Sequence, residues 1–439
     1  MKLLLIYPGL ADGFGSYRAG ANWFHHGTGI ISALLKRAGH TIVYLDCRKL
    51  ASWEEVESFI GASEFEAALI SVATVDFTAA RRIAGLIKKK DPALRVIAGG
   101  PHATLMTQET AGAAEFDHVF THEAEVTLPL VLEDLRSAPR IIRGEMPPDL
   151  DALPFVDRSL APEGESTGLW DMPAPYFSIT ASRGCLYNCS FCQPAERAVF
   201  GNKVRRRSIG NVLDELENLS REYGMKSFMI HDDCFTQYHE WAGEFCEKKK
   251  ARGLTQPFVC QSRADIICRR HDLMRRLREA GLTWVYIGFE SGSDRVLQFI
   301  RKGVTVAQNL EAASICRRLG IKIFANYMFG LPTETREEMS QTAAMMRKIR
   351  PDMYSPSVFT PAPGSDLYAY CMERDLSLIT SAEGYRRSAG SGAKIKGVDY
   401  AYVDRMIRES MRVSVGYRIR RRLARLAETL GARLRSGRA

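Results

Sequence analysis

Three cysteines fall within eight positions of the stretch SRGCLYNCSFCQ: Cys185, Cys189 and Cys192, spaced C-x3-C-x2-C. Thiolates ligate zinc and iron–sulfur clusters. Structural zinc usually takes four ligands, often as two CxxC pairs. Here no fourth cysteine is near; the next is Cys234. A cluster held by three thiolates leaves one iron open to a chelating, substrate-like ligand. The triplet follows a strand-like segment, YFSITASRG, and so belongs to a loop.

Ten cysteines occur in all, and seven are scattered singly. That is no disulfide framework, and a chain of this length needs none. A reducing cytoplasm is the expected compartment. No apolar run approaches the ~18 residues of a membrane span. The opening MKLLLIYPGL fits a first β-strand better than a secretory signal. At 439 residues, 46% hydrophobic and 25% charged, the chain is long enough for two or three globular domains.

The elements that must position the cysteines read as two successive α/β alternations. In the first, over residues 1–135, KLLLIYP, TIVYLD, FEAALISVA, LRVIAGG and FDHVFTH read as strands with helices between them. This predicts a doubly wound parallel sheet of Rossmann-like type. Ligands of such sheets sit at the carboxyl ends of the strands. Those ends carry Pro8-Gly9, Ser71 to Thr74, and Gly99-Gly100-Pro101-His102. Residues 136–175 are rich in proline and charge and read as a linker. A second alternation, over 176–375, has about six β/α units, enough for a partial (β/α)6 TIM-type barrel. Residues 376–439 read as a helical C-terminal region.

The triplet after the first barrel strand, with Phe191 before its last cysteine, resembles the radical S-adenosylmethionine (SAM) enzymes. The resemblance implies a 4Fe–4S cluster on Cys185, Cys189 and Cys192, with SAM on the fourth iron. Reduction by an external one-electron donor of flavodoxin or ferredoxin type would then give a 5′-deoxyadenosyl radical that abstracts hydrogen. It also implies SAM contacts at later strand ends. In MIHDDCF these are Asp232 and Asp233, although the family's usual glycine pair is missing there. In CQSRAD, Arg263 would fork onto the SAM carboxylate. In YIGFESGSDRVL, Glu290 and Ser291 would reach the ribose, and in NYMFGLPTET Gly330 would admit the adenine. Each has an ordinary alternative: a cap, a salt bridge or a turn.

Ahead of such a barrel, the first domain resembles the cobalamin-binding domain of the cobalamin-dependent radical SAM class. AGGPHAT followed by FDHVFTHEAEVTLP carries that likeness. It implies that Gly99, Gly100 and His102 lie along the nucleotide tail, with Ser71 and Thr74 lining its groove. Cobalamin proteins that replace the cofactor's lower ligand carry Asp-x-His-x-x-Gly. This chain keeps His26-x-x-Gly29, but Phe24 stands in place of the aspartate. With no carboxylate to fix the imidazole, the expectation is no histidine on cobalt, and His25 and His26 as loop or helix-cap residues.

The resemblance implies methyl transfer to an unactivated carbon, with cyclisation or rearrangement on the same architecture as the alternative. A tRNA methylthiotransferase would need three more cluster cysteines in the first domain, where only Cys47 occurs. A non-enzymatic iron–sulfur carrier would not need SAM-facing strand ends. The formal charge of +9 is largely a tail property: residues 418–438 hold eight arginines and one acid, Glu428. Ile419, Leu423, Leu426, Leu430 and Leu434 recur at helical steps there. The tail reads as an amphipathic basic helix, packed on the barrel or lying on the inner membrane face near a lipidic substrate. No basic patch interleaved with aromatics points to nucleic acid. The expected partner is a small molecule or lipid.

Overall fold

The computed structural model describes residues 1–17, 23–165, 169, 171–192, 194–388 and 390–412. The expected basic helix over 418–438 lies outside them.

The first unit is a six-stranded parallel sheet in the order β2-β1-β3-β4-β5-β6. Its strands are β1 (Lys2–Tyr7), β2 (Thr41–Asp46), β3 (Ala67–Ser71), β4 (Arg95–Gly99), β5 (His118–Thr121) and β6 (Ile141–Arg143). The run LLLI in β1 is apolar at every position because both faces are covered. Leu3 and Leu5 pack beneath the helices His26–Arg37 and Thr127–Glu133, through Leu35, Leu128 and Leu132. Leu4 and Ile6 face the helices Trp53–Ala62 and Phe77–Lys90, through Val56, Ile60, Ile83 and Ile87. The strand order reverses at β1, between β2 and β3, which opens a crevice at the carboxyl edge.

The second unit is a half-barrel of six parallel strands, in the order β14-β13-β12-β11-β10-β7. They are β7 (Tyr176–Ile179), β10 (Ser227–Ile230), β11 (Phe258–Ser262), β12 (Leu282–Glu290), β13 (Lys322–Phe329) and β14 (Met353–Val358). Between β7 and β10, the short strands β8 (Ser182–Arg183) and β9 (Arg205–Arg206) pair antiparallel. The cysteine loop is the excursion between them. Phe177, Phe228, Phe258 and Phe289 point outward into the helical layer. Tyr176, Met229, Val259 and Trp284 point inward.

The stretch expected to be a linker is built into both units. Its residues Ile141–Arg143 add β6 to the first sheet. Leu169 and Met172 plug the barrel interior against Trp284. Asp171 accepts a hydrogen bond from Trp284 Nε1 at 2.7 Å and pairs with Lys322. Beyond β14, the helix Tyr400–Ser410 buries Val403, Met406 and Ile407, and Ser410 Oγ meets Tyr327 Oη at 2.7 Å. No helix among the described residues is long and apolar enough to cross a membrane.

Candidate functional site

A cavity of about 650 Å³ joins the carboxyl edge of the first sheet to the cysteine-bearing end of the barrel. Its apolar depth is Leu5, Leu69, Ile97 and Phe120, one residue from each of four neighbouring strands. Ser71, Gly99 and Gly100 form its rim, and Thr180, Ser182, His231 and Asp233 its barrel side. Gly100 has φ +94°, and a Cβ there would stand 3.1 Å from Val72 N. Only glycine fits that turn.

Thr74 and His102, expected on the same rim, are not among its walls. His102 packs against Phe77 in a tilted contact, ring centroids 4.2 Å apart, and its Nδ1 lies 3.4 Å from Thr74 Oγ1. Burial lowers the His102 pKa to about 4, so it is a neutral packing residue. The reason is helical geometry. Pro101 and Thr104 share one face of the helix Pro101–Leu105 and reach the cavity, whereas His102 is turned about 100° away.

Two arginines and two glutamates form an ion cluster where the units meet, a feature the sequence did not announce. Arg183 of β8 pairs with Glu123, and with Glu125 at 2.7 Å; Arg205 of β9 pairs with Glu123 at 2.7 Å. Both glutamates are buried. Glu123 and Glu125 are the acids of the HEAE segment after β5, so the cluster ties the first sheet to the root of the cysteine loop.

The loop itself is held at both ends. Gly184 has φ +100°, and a Cβ there would press into the Lys203 carbonyl. Gln237 brackets the loop, donating to Gly184 O at 3.3 Å and accepting from Leu186 N at 3.1 Å. Ser190 N donates to Ile300 O at 3.0 Å. Burial raises the Cys185 thiol pKa and pushes that of Cys192 to about 12.

Arg263, at the end of β11, lies under this loop. Its guanidinium sits 3.5 Å from the Tyr187 ring centroid, and Nη1 lies 3.8 Å from Cys189 Sγ. Nε donates to Asp265 at 3.0 Å and Nη2 to Lys302 O. Glu290, at the end of β12 with φ +60°, pairs with buried Lys302 at 2.7 Å. Burial opposes the Lys302 charge, yet Glu290 and Cys189 hold its pKa above the usual lysine value. Lys302 was not anticipated, because it follows a short helix with no motif around it. Ser291 is fully buried, its Oγ 3.2 Å from Thr342 Oγ1.

Asp232, at the end of β10, is 1% exposed. Its carboxylate accepts from Ala181 N at 2.7 Å and Ser182 Oγ at 2.6 Å, fastening β10 to the strand that enters the cysteine loop. Gly330, with φ +79°, donates to Glu334 at 2.8 Å. Burial raises the Glu334 pKa to about 7. His25 caps the helix His26–Arg37, accepting from Thr28 N at 3.0 Å.

Two family models match the chain: residues 179–346 match the radical SAM superfamily and residues 18–132 match the B12 binding domain. An uncharacterized methyltransferase of Pyrococcus horikoshii is 28% identical over 323 residues, 69% of this chain and 68% of that protein. The anaerobic magnesium-protoporphyrin IX monomethyl ester cyclase of Rubrivivax gelatinosus is 26% identical, over 84% of this chain and 69% of its own. The solved structure of the cobalamin-dependent SAM radical enzyme OxsB, with aqua-cobalamin and SAM bound, superposes with a TM-score of 0.69 at 15% identity. That match covers 88% of this chain but 64% of the OxsB chain, so the likeness is one of fold and the chain spans less than two thirds of OxsB.

Proposed function

We propose that this chain, a radical SAM enzyme with a B12-binding domain ahead of its barrel, transfers a methyl group to an unactivated carbon of a small molecule. Its cofactors are a 4Fe–4S cluster, SAM and cobalamin. When bound, the cluster and SAM supply a hydrogen-abstracting radical, and the corrinoid supplies a methyl carrier.

The residues fit these groups. Cys185, Cys189 and Cys192 offer three thiols on one loop, and Arg263 and Lys302 place positive charge beside Cys189. Among the described residues, no three His, Cys, Asp or Glu side chains converge as around a single metal ion. A cubane cluster takes each thiolate on a different iron and spreads its ligands more widely. Asp232, Asp233, Arg263, Glu290, Ser291 and Gly330 all stand at carboxyl ends of barrel strands, where a barrel builds its site. We assign them to SAM. Asp232 and Arg263 also hold the cysteine loop in place, so the same side chains shape the cluster site. Ser71, Gly99 and Gly100 are assigned to the corrinoid's nucleotide tail, with Thr74 and His102 supporting that wall from behind. The apolar depth of the cavity suits an aromatic base rather than water.

The single cavity shared by sheet and barrel is the observation that carries this reading. The Arg183–Glu123–Glu125 cluster, with both glutamates buried, ties its two sides together. The test is anaerobic expression with hydroxocobalamin, cluster reconstitution, and measurement of cobalt content and SAM products under reduction. About one cobalt per chain, with 5′-deoxyadenosine and S-adenosylhomocysteine formed together in cell extract, is expected. No cobalt on a cluster-loaded chain refutes the reading. 5′-Deoxyadenosine without S-adenosylhomocysteine favours the second reading, a cyclisation or rearrangement, for which the 84% coverage by the Rubrivivax cyclase is the supporting observation. The electron comes from a flavodoxin or ferredoxin type of donor, and the enzyme works in the cytoplasm, where thiols stay reduced. Contact with a membrane or lipidic substrate would fall to residues 418–438.

A further inference from the structure

Among the described residues, six other than glycine have positive φ, and His122 is the one of them that lines the cavity. It follows directly on β5, with φ +65°. Glycine would take this backbone freely, whereas a side chain is held there by its surroundings. The His122 N–H donates to Thr104 Oγ1 at 2.9 Å, and the Thr104 hydroxyl donates to Gly100 O at 3.1 Å. One hydroxyl thus ties the turn after β4 to the turn after β5. Gly144 lets the chain beyond β6 approach from the other side, since a Cβ there would run into the Glu123 carbonyl. His122 therefore belongs to the same rigid rim as Gly100.

The protonation of its ring follows from its neighbours. Thr121 gives its one hydroxyl proton to Ile142 O at 3.3 Å, so its oxygen accepts from His122 Nδ1 at 3.1 Å. Burial, then the charge of Arg143, holds the His122 pKa below the ordinary histidine value, and the ring is neutral at pH 7. With its proton on Nδ1, Nε2 is an acceptor. It makes no hydrogen bond among the described residues and is not sealed in the interior.

We propose that His122 Nε2 accepts a hydrogen bond from a ribose hydroxyl of the corrinoid's nucleotide tail. The inference rests on the cobalamin reading above, in which that tail runs along Gly99 and Gly100. An open acceptor selects a donor. Of the three parts of the tail, the phosphate only accepts, and the base belongs in the apolar depth among Leu69, Ile97 and Phe120. The ribose stands between them and carries hydroxyls. Phe120 and His122 are two residues apart on β5 and its end, so they share a face. A base seated on Phe120 brings its ribose past His122.

The test is titration of the full apo chain with aquocobalamin and with diaquocobinamide, which lacks the ribose, phosphate and base. His122→Asn suits the left-handed turn and keeps the Thr121 contact, but its side chain ends short of the Nε2 position. His122→Gln carries an amide oxygen to that position. His122→Asn is expected to bind cobalamin about 3- to 10-fold more weakly than wild type, with cobinamide binding unchanged, and His122→Gln to recover most of the loss. Comparing two corrinoids on one variant separates a lost contact from a lost fold, and both variants should melt as wild type does. Unchanged cobalamin binding in His122→Asn, an equal loss with both corrinoids, or no recovery in His122→Gln overturns this assignment and leaves the cobalamin reading standing. A wild-type chain that binds neither corrinoid overturns both.

Discussion

Asp232→Asn is expected to stabilise the apo chain while weakening SAM binding. The carboxyl is 1% exposed, and burial raises its pKa from 3.8 to about 6 against the hydrogen bonds from Ser182 and Ala181 that lower it. The folded state thus holds the proton up to about pH 6, whereas the unfolded chain releases it near 3.8. Stability from this group is therefore greatest below about pH 3.8 and declines until about pH 6. At ~1.36 kcal/mol per pH unit, the ionised carboxylate costs about 3 kcal/mol at pH 8. Asparagine removes the charge and keeps the shape. Its carbonyl can accept from Ala181 N, and the Ser182 hydroxyl can rotate to accept from its amide. The variant should be more stable by about 1–3 kcal/mol at pH 8, with a gap about 1.5 kcal/mol smaller at pH 5. Urea unfolding of the apo chain at the two pH values measures this. In the proposed SAM complex the variant loses a charge-assisted bond of about 1.5–3 kcal/mol, so SAM should bind at least ~10-fold more weakly. A variant less stable than wild type at pH 8, or a gap that ignores pH, would refute the reasoning. The stabilising species would then be the carboxylate, held by Ala181 and Ser182.

Three further outcomes follow from the same geometry. Cys185→Ala should keep the native circular dichroism spectrum but lose the cluster absorbance and all SAM cleavage; turnover in this variant refutes the cluster assignment. Gly184→Ala should cost about 1–3 kcal/mol, because φ +100° is strained for alanine and its Cβ meets Lys203, and should lower iron retention more than overall helicity. Arg183→Met strands Glu125 in a buried position and should cost about 2–4 kcal/mol. Adding Glu125→Gln should recover part of that loss, and purely additive effects in the double variant would show that the pair is not coupled.

The cysteine spacing and the two strand–helix alternations are local features, and they determined the cluster loop, the parallel sheets and their order along the chain. Periodicity and a short motif need only residues a few positions apart. The turn at Gly99-Gly100 was legible for the same reason. Which side chains would share the cavity was not. His102 adjoins that turn, but one helical step directs it to Phe77 rather than to the rim. Lys302 meets Glu290 through a buried pair that no pattern marks. The ion cluster joins Glu123 to Arg205, two segments that only the docking of sheet and barrel brings together. His26 makes the point most sharply. From its neighbours it lacks a carboxylate, while in the fold Ser178 and Glu165, from a barrel strand and from the stretch between the units, provide one. Sequence fixes what a residue is and which local element carries it. The partners that set its protonation, orientation and access belong to distant segments, and only tertiary packing chooses them.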